Sequence, residues 1–105
     1  MNWKEHLRSH TCTAEEAIKV IKSGDNLVYS HAAAAPLEIN KALVAHKEEY
    51  SNVSIYHMLF VGDPIHLAPD MEKHFRLKSS FIDEASREAV NSGRADFYPC
   101  FFHQL

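Results

Sequence analysis

The sequence predicts an α/β protein: a mostly parallel, doubly wound sheet with flanking helices. Two observations carry this. β-prone apolar runs alternate along the chain with helical segments of crossover length, giving the order α-β-α-β-loop-β-α-β. The longest such run, "VSIYHMLFV" at 53–61, is almost continuously apolar, the pattern of a strand covered on both faces.

The elements follow in order. Thr13-Ala-Glu-Glu16 fits a capping box, with the Thr13 hydroxyl accepting from the Glu16 N–H and Glu16 reaching back to the Thr13 N–H. Ala17, Ile18, Val20 and Ile21 supply an apolar helical face, and Gly24 stands where a helix stop is expected. Residues 27–31 read as the first strand. Pro36 can open the next helix, because its missing N–H is one of the orphans of a first turn. Leu37, Ile39, Ala42, Leu43 and Ala45 mark its buried side, and Ser51-Asn52 ends it. The 53–61 strand follows. "GDPIHLAPDMEKH" at 62–74 holds two prolines and reads as a long loop with a short helix after Pro69. Residues 75–82 are the third strand, and 84–94 a helix stopped at Gly93. Residues 95–102 are a fourth strand, weakened by Pro99, which cannot donate to a ladder.

Composition narrows the function classes. The chain has 105 residues, so it holds at most one domain. Net charge is −3 and the basic residues are scattered, which argues against nucleic acid as a partner. No apolar run approaches the length of a membrane span. "MNWKEHLRSH" has no apolar signal-peptide core, which makes the cytoplasm the expected compartment. Cys12 and Cys100 read as free thiols there. The eight histidines make a metal site worth testing. His6, His10 and Cys12 form the best local cluster, yet a structural zinc needs a fourth ligand, and no metal is expected. Cys100, between Pro99 and Phe101, reads as a buried small hydrophobe and not as a nucleophile.

Between the first strand and the helix of Pro36 stands "SHAAAAP", Ser30 to Pro36. Reversals usually use Gly, Asn, Asp or Ser, so four alanines are unusual. Ligands of open α/β sheets lie outside the carboxyl ends of the strands, which is where this junction falls. It reads either as the floor of a substrate pocket or as tight packing of helix on sheet. His57, mid-strand among apolar neighbours, is either a hydrogen-bonded core residue or a cleft residue. Glu72, His74 and Arg76 read as loop-holding ion pairs in preference to a cleft entrance. Arg87 and Arg94 read as solvated in preference to phosphate-binding.

The runs "CTAEEAIKVIKSGDNLVYSHAAAAP", "NVSIYHMLFVG", "APDMEKHFR" and "SREAVNSGRADFYPCFFHQ" resemble, in order and spacing, the acetyl-CoA hydrolase/transferase family, which includes acetate-utilising and 4-hydroxybutyrate CoA-transferases. Many relatives have Gly-Glu-Pro where this chain has Ala34-Ala35-Pro36. The resemblance implies a chain several times longer, of two related α/β halves with the active site between them. Residues 1–105 would then be a partial N-terminal domain, consistent with the abrupt end at "CFFHQL". It implies CoA transfer from an acyl-CoA to a short carboxylate such as acetate, butyrate or 4-hydroxybutyrate. The intermediate would be a glutamyl-CoA thioester whose glutamate is not in this chain, so the chain alone is expected to be inactive. No residue here is expected to be catalytic. Expected substrate contacts are Ser30, His31, Ala33, Ala34, Ala35, Pro36 and His57. No bound cofactor is expected, coenzyme A entering as a thioester substrate. Expected partners are the missing half, in cis or in trans, and a second copy in a homo-oligomer. The rival readings are an acyl-CoA hydrolase and a non-catalytic binding or assembly module.

Overall fold

The computed structural model describes all 105 residues. Helix α1 spans Trp3–Ser9, and α2 spans Ala14–Ala17 before tightening into a 3₁₀ turn at Ile18–Val20. Strand β1 is Asn26–Val28, helix α3 Leu37–Ala45, strand β2 Val53–Tyr56 and strand β3 Phe75–Ser79. Helix α4 is Glu84–Asn91 and strand β4 Asp96–Phe97. The four strands form one parallel sheet in the order β1-β2-β3-β4. The α/β class and the parallel sheet therefore stand as the sequence predicts.

Strand periodicity sorts the side chains onto two faces. Leu27, Ile55 and Leu77 share one register row, with Val53 beside Phe75 on the same face. Against this face pack Ala42 and Leu43 of α3, Ile18, Met71 and, at the far end, Ala89 of α4. Val28, Tyr56, Lys78 and Asp96 form the alternate row. Burial follows the same alternation: Val53 and Ile55 are buried while Ser54 and Tyr56 are half-buried. Within these residues the winding runs one way and the helices that meet the sheet gather on one face. The two-sided cover expected of β2 is absent, because its apolar run holds one fully buried row only.

Local chemistry accounts for the element boundaries. The Thr13 box forms as read, with Glu16 N–H donating to Thr13 Oγ1 at 3.2 Å and Thr13 N–H to Glu16 Oε2 at 3.3 Å. Helix α2 is nevertheless shorter than expected. Its continuation holds the β-branched Ile18, Val20 and Ile21, poor helix formers, and Ile21 is already extended. The strand expected over 53–61 ends at Tyr56. Beyond it the Met58 N–H goes to the His31 ring and the Phe60 N–H to the Asp83 carboxylate, which takes them out of a ladder. β4 shrinks to two residues ahead of Pro99. Helix α1 was not expected as an element, and every residue of it is exposed.

Leu43 is fully buried at the centre of this packing, and Val28 is 75% exposed at the sheet margin. In urea unfolding, Leu43→Ala should cost about 3 kcal/mol through lost transfer energy and an uncollapsed cavity. Val28→Ala should stay within about 0.5 kcal/mol.

Candidate functional site

At the carboxyl edge of β1 the chain turns through Ser30–Pro36 into α3. Tyr29 is the last residue bonded into the strand, its N–H donating to Tyr56 O at 2.9 Å. Ser30 is exposed and His31 half-buried. His31 Nδ1 accepts from the Met58 N–H at 3.1 Å, so the proton of the neutral ring sits on Nε2, which remains its free donor. Ala32 takes the left-handed conformation, φ 55°, and pairs with Phe60 in a parallel bridge. Two tight hydrogen bonds follow, Ala34 N–H to His31 O and Ala35 N–H to Ala32 O, both 3.1 Å. Ala35 packs against the core, whereas Ala33 and Ala34 are exposed. Pro36 precedes α3, whose N-terminus carries no side-chain cap. Gly62 comes close behind it, where a Cβ would lie 2.6 Å from Leu37 Cδ2. Within the junction, Ala35 packs as the tight-packing reading expects, Ala32 adopts a strained turn angle, and Ala33 and Ala34 stand clear.

A polar layer supports this edge from below. His57 and His66, 0% and 2% exposed, meet Nε2 to Nε2 at 2.8 Å, so one ring donates and the other accepts. Both Nδ1 atoms are buried without a partner. Phe60 and Tyr29 flank the two rings, and the Tyr29 hydroxyl donates to Asn40 Oδ1 at 3.2 Å. Burial raises the Tyr29 phenol well above its ordinary range. Burial likewise pushes His57 down to about 4, and burial together with the neighbouring His57 pushes His66 to about 3. Both rings are neutral in the folded protein near pH 7.

Asp83 closes the layer. Its Oδ2 accepts from the Phe60 N–H at 2.9 Å, and its Oδ1 accepts from the Ser86 N–H at 3.0 Å and the Ser86 hydroxyl at 2.7 Å. Burial alone would raise this carboxyl. The bonds from Ser86 and Phe60 outweigh it and hold Asp83 below the ordinary carboxylate value.

The other sequence candidates lie elsewhere. His57 is sealed on the covered face and shares no surface with Ser30, Ala33 or Ala34. Arg94, expected to be solvated, is largely buried and bonds Leu67 O and Glu88. Arg76 grips Asp96 with two bonds of 2.7 Å, and His74 Nδ1 donates to Tyr50 O at 2.8 Å, so both are structural as expected. His6 on α1 and His10, the residue that caps its C-terminus, stack with ring centroids 4.1 Å apart. Cys12 and Cys100 are free thiols, but Cys100 is exposed, against the buried reading, because β4 ends before it. Sequence reasoning did not single out Asp83 or His66. Asp-x-x-Ser ahead of the helical run was the available signal for Asp83. Nothing local marks His66, since its partner lies across a loop.

Residues 1–105 match the family described as the acetyl-CoA hydrolase/transferase N-terminal domain. This chain belongs to the acetyl-CoA hydrolase/transferase family. It is 37% identical over 105 residues to a 4-hydroxybutyrate coenzyme A transferase of Clostridium kluyveri, covering 100% of this chain and 24% of that protein. It is 32% identical over 107 residues to a succinyl-CoA:cyclohexane-1-carboxylate CoA transferase of Geobacter metallireducens, covering 99% and 24%. Among solved structures, RipA from Yersinia pestis superposes with a TM-score of 0.82 at 23% identity, covering 99% of this chain and 27% of that one. That likeness speaks for the fold. The chain thus spans about a quarter of the length of these transferase-family relatives.

Three measurements test the site as built. An unfolded imidazole titrates near 6.5, so from roughly pH 6.5 down to 4 the unfolded chain takes up protons that the folded one refuses. Stability should fall across that window by up to about 1.4 kcal/mol per pH unit for each buried histidine. The slope should flatten in His57→Leu/His66→Leu, and a wild-type urea midpoint unchanged between pH 7 and 4.5 would contradict the neutral pair. Asp83→Ala should cost about 2–3 kcal/mol, losing a helix cap and stranding the Phe60 N–H. Ala32→Gly should be neutral or stabilising by up to about 1 kcal/mol, whereas Ala32→Val should destabilise by more than that.

Proposed function

We propose that this chain is the N-terminal portion of a CoA-transferase and forms one wall of its active site. The enzyme moves CoA between an acyl-CoA and a short-chain carboxylate, of the class of acetate, butyrate or 4-hydroxybutyrate. The observation that carries this reading is the full-length match to the family at 37% identity with a 4-hydroxybutyrate transferase. The geometry of Ser30–Pro36 agrees with it.

In this reading the turn receives the carboxylate. Ser30 offers a hydroxyl at the exposed edge, and His31, locked with its proton on Nε2, offers a neutral donor. The uncapped start of α3 behind Pro36 carries partial positive charge suited to an anion. Ala33 and Ala34 keep the approach clear, and Ala35 seats the turn on the core. His57 is a positioning residue: it holds the segment whose Met58 N–H orients His31. Coenzyme A enters as a thioester and leaves as one, with no resident cofactor required.

The nucleophile comes from further chain. A glutamate there attacks the acyl-CoA, carries CoA as a glutamyl thioester and passes it to the second carboxylate. This chain supplies orientation and hydrogen-bond donors, and alone it should not turn over.

A hybrid tests this directly. This chain replaces the matching N-terminal quarter of the Clostridium kluyveri relative, and CoA transfer from acetyl-CoA to butyrate and to 4-hydroxybutyrate is followed. The hybrid should transfer and the 105-residue chain should not. Turnover by the chain alone, or a folded hybrid that only releases free CoA, would overturn the transferase reading. Within the hybrid, Ala34→Leu should raise the KM for the carboxylate about tenfold, roughly 1.4 kcal/mol, without changing stability.

A further inference from the structure

A single buried side chain anchors the loop that follows Phe60. Between Phe60 and Met71 only His66 is buried, at 2% exposure. The main chain of residues 61–66 bonds only within the loop: Ile65 N–H donates to Asp63 O, Leu67 N–H to Pro64 O and Ala68 N–H to Ile65 O. The other ties come further on, where Arg94 donates to Leu67 O and Lys47 pairs with Asp70 at 2.6 Å. His66 thus supplies the one polar hold on the first half of the loop, and its one partner is His57.

The held segment lies over the start of α3. Gly62 sits against Leu37, the first residue of that helix, immediately after Pro36. At φ 134° Gly62 occupies backbone space that favours glycine, which makes it a hinge. Arg94, by gripping Leu67 O, fixes the other end of the segment. Between hinge and fixed end, Asp63 is exposed and Pro64 and Ile65 are half-buried.

The contact works only with both rings neutral. One proton lies between the two Nε2 atoms, 2.8 Å apart, and neither Nδ1 has a partner. An added proton puts a charge where no acceptor waits, and a second sets N–H against N–H. The surrounding groups offer no relief. Asp83 faces His57, but its oxygens are taken by the Phe60 N–H and by Ser86. His31 also faces His57, with its Nδ1 on the Met58 N–H. From β1, the Tyr29 hydroxyl donates to Asn40 of α3, whose Glu38 and Lys41 pair with each other in solvent. Arg94, a cation, lines one small space with His66, and Glu72, across that space, is exposed.

We propose that residues 61–66 are an acid-released strap over the start of α3, closed by the neutral His57–His66 contact and swung open at Gly62 when His66 takes up a proton in water. An imidazole in water titrates near 6.5, and burial holds both rings below that value. The closed strap is therefore fully favoured above about pH 6.5 and loses ground as the pH falls toward 4. Opening uncovers Leu37 and the turn that leads into it, leaving the sheet and the Arg94 and Lys47 ties in place. The strap itself rests on the fold. That it controls access to the Ser30–Pro36 edge rests on the proposed function.

The test reads motion and not turnover. Relaxation dispersion on the ¹⁵N-labelled chain follows opening through the amides of Gly62, Asp63, Ile65 and His66. Between about pH 6.5 and 4.5 the open population should rise at least about thirtyfold, the gain expected when one imidazole is protonated only in the open state. The Ile55 and Leu77 amides should show no such exchange. His57→Leu/His66→Phe, which leaves nothing to protonate at the contact, should hold the open population within about threefold over the same range. His66→Ala removes the anchor, and its loop order parameters should lie below about 0.6 already at pH 7. Far-UV circular dichroism checks both variants; if either unfolds, the wild-type contrast between the loop and Ile55 and Leu77 decides alone. A loop that stays closed in acid, a loop and sheet that open together, an acid response kept in the double variant, or a rigid loop in folded His66→Ala would overturn the proposal. A hybrid enzyme that transfers CoA while its loop ignores acid would remove this inference and leave the proposed function standing. A strap that opens in a hybrid unable to transfer CoA would do the reverse.

Discussion

The Asp83 carboxylate is the constraint on which the carboxyl edge of the sheet depends. One oxygen holds the Phe60 N–H and the other starts helix α4 through Ser86. Phe60 in turn bridges Ala32, whose N–H donates to Leu59 O at 2.8 Å. Two chain segments that leave neighbouring strands are thereby locked to each other and to a helix 23 positions further on. A buried backbone N–H left without an acceptor is costly, so the carboxylate does more than cap. It fixes where β2 stops behaving as a strand and where the turn after β1 can go.

How much of this was legible follows from how local the cause is. The capping box at Thr13, the helix stop near Gly93 and the failing of the last strand at Pro99 each depend on residues a few positions apart, and each was readable. The alternating burial of β2 was not. Ser54, Tyr56 and Met58 look as strand-like as Val53 and Ile55, and only the sheet decides which row is covered. Strand ends were overextended for a similar reason: His31 and Asp83 divert the Met58 and Phe60 N–H groups, and both diversions span more than twenty residues. His66 was invisible in the same way. The position of the candidate site at the strand ends was readable from element order; which alanine packs, which twists and which stands clear was not.

The buried histidine pair shows a cost of this construction. His57 and His66 share one proton between their Nε2 atoms, yet both Nδ1 atoms lack partners. Their rings fill space between Tyr29 and Phe60 as a phenyl group would, while the shared hydrogen bond ties the loop after Gly62 to the end of β2. A single connection thus couples the packing of a Pro-rich loop to the seat of the segment that orients His31. That connection is directional, which an all-apolar contact would not be.

Ala33 and Ala34 stand exposed on a turn whose shape is set by others: Ala32 by its backbone angle, Ala35 by its packing, Pro36 by its ring. The fold therefore asks nothing of two side chains at the proposed substrate edge. Their bulk and polarity can change by single substitutions with little penalty to folding, so the surface of this edge is set independently of the core beneath it.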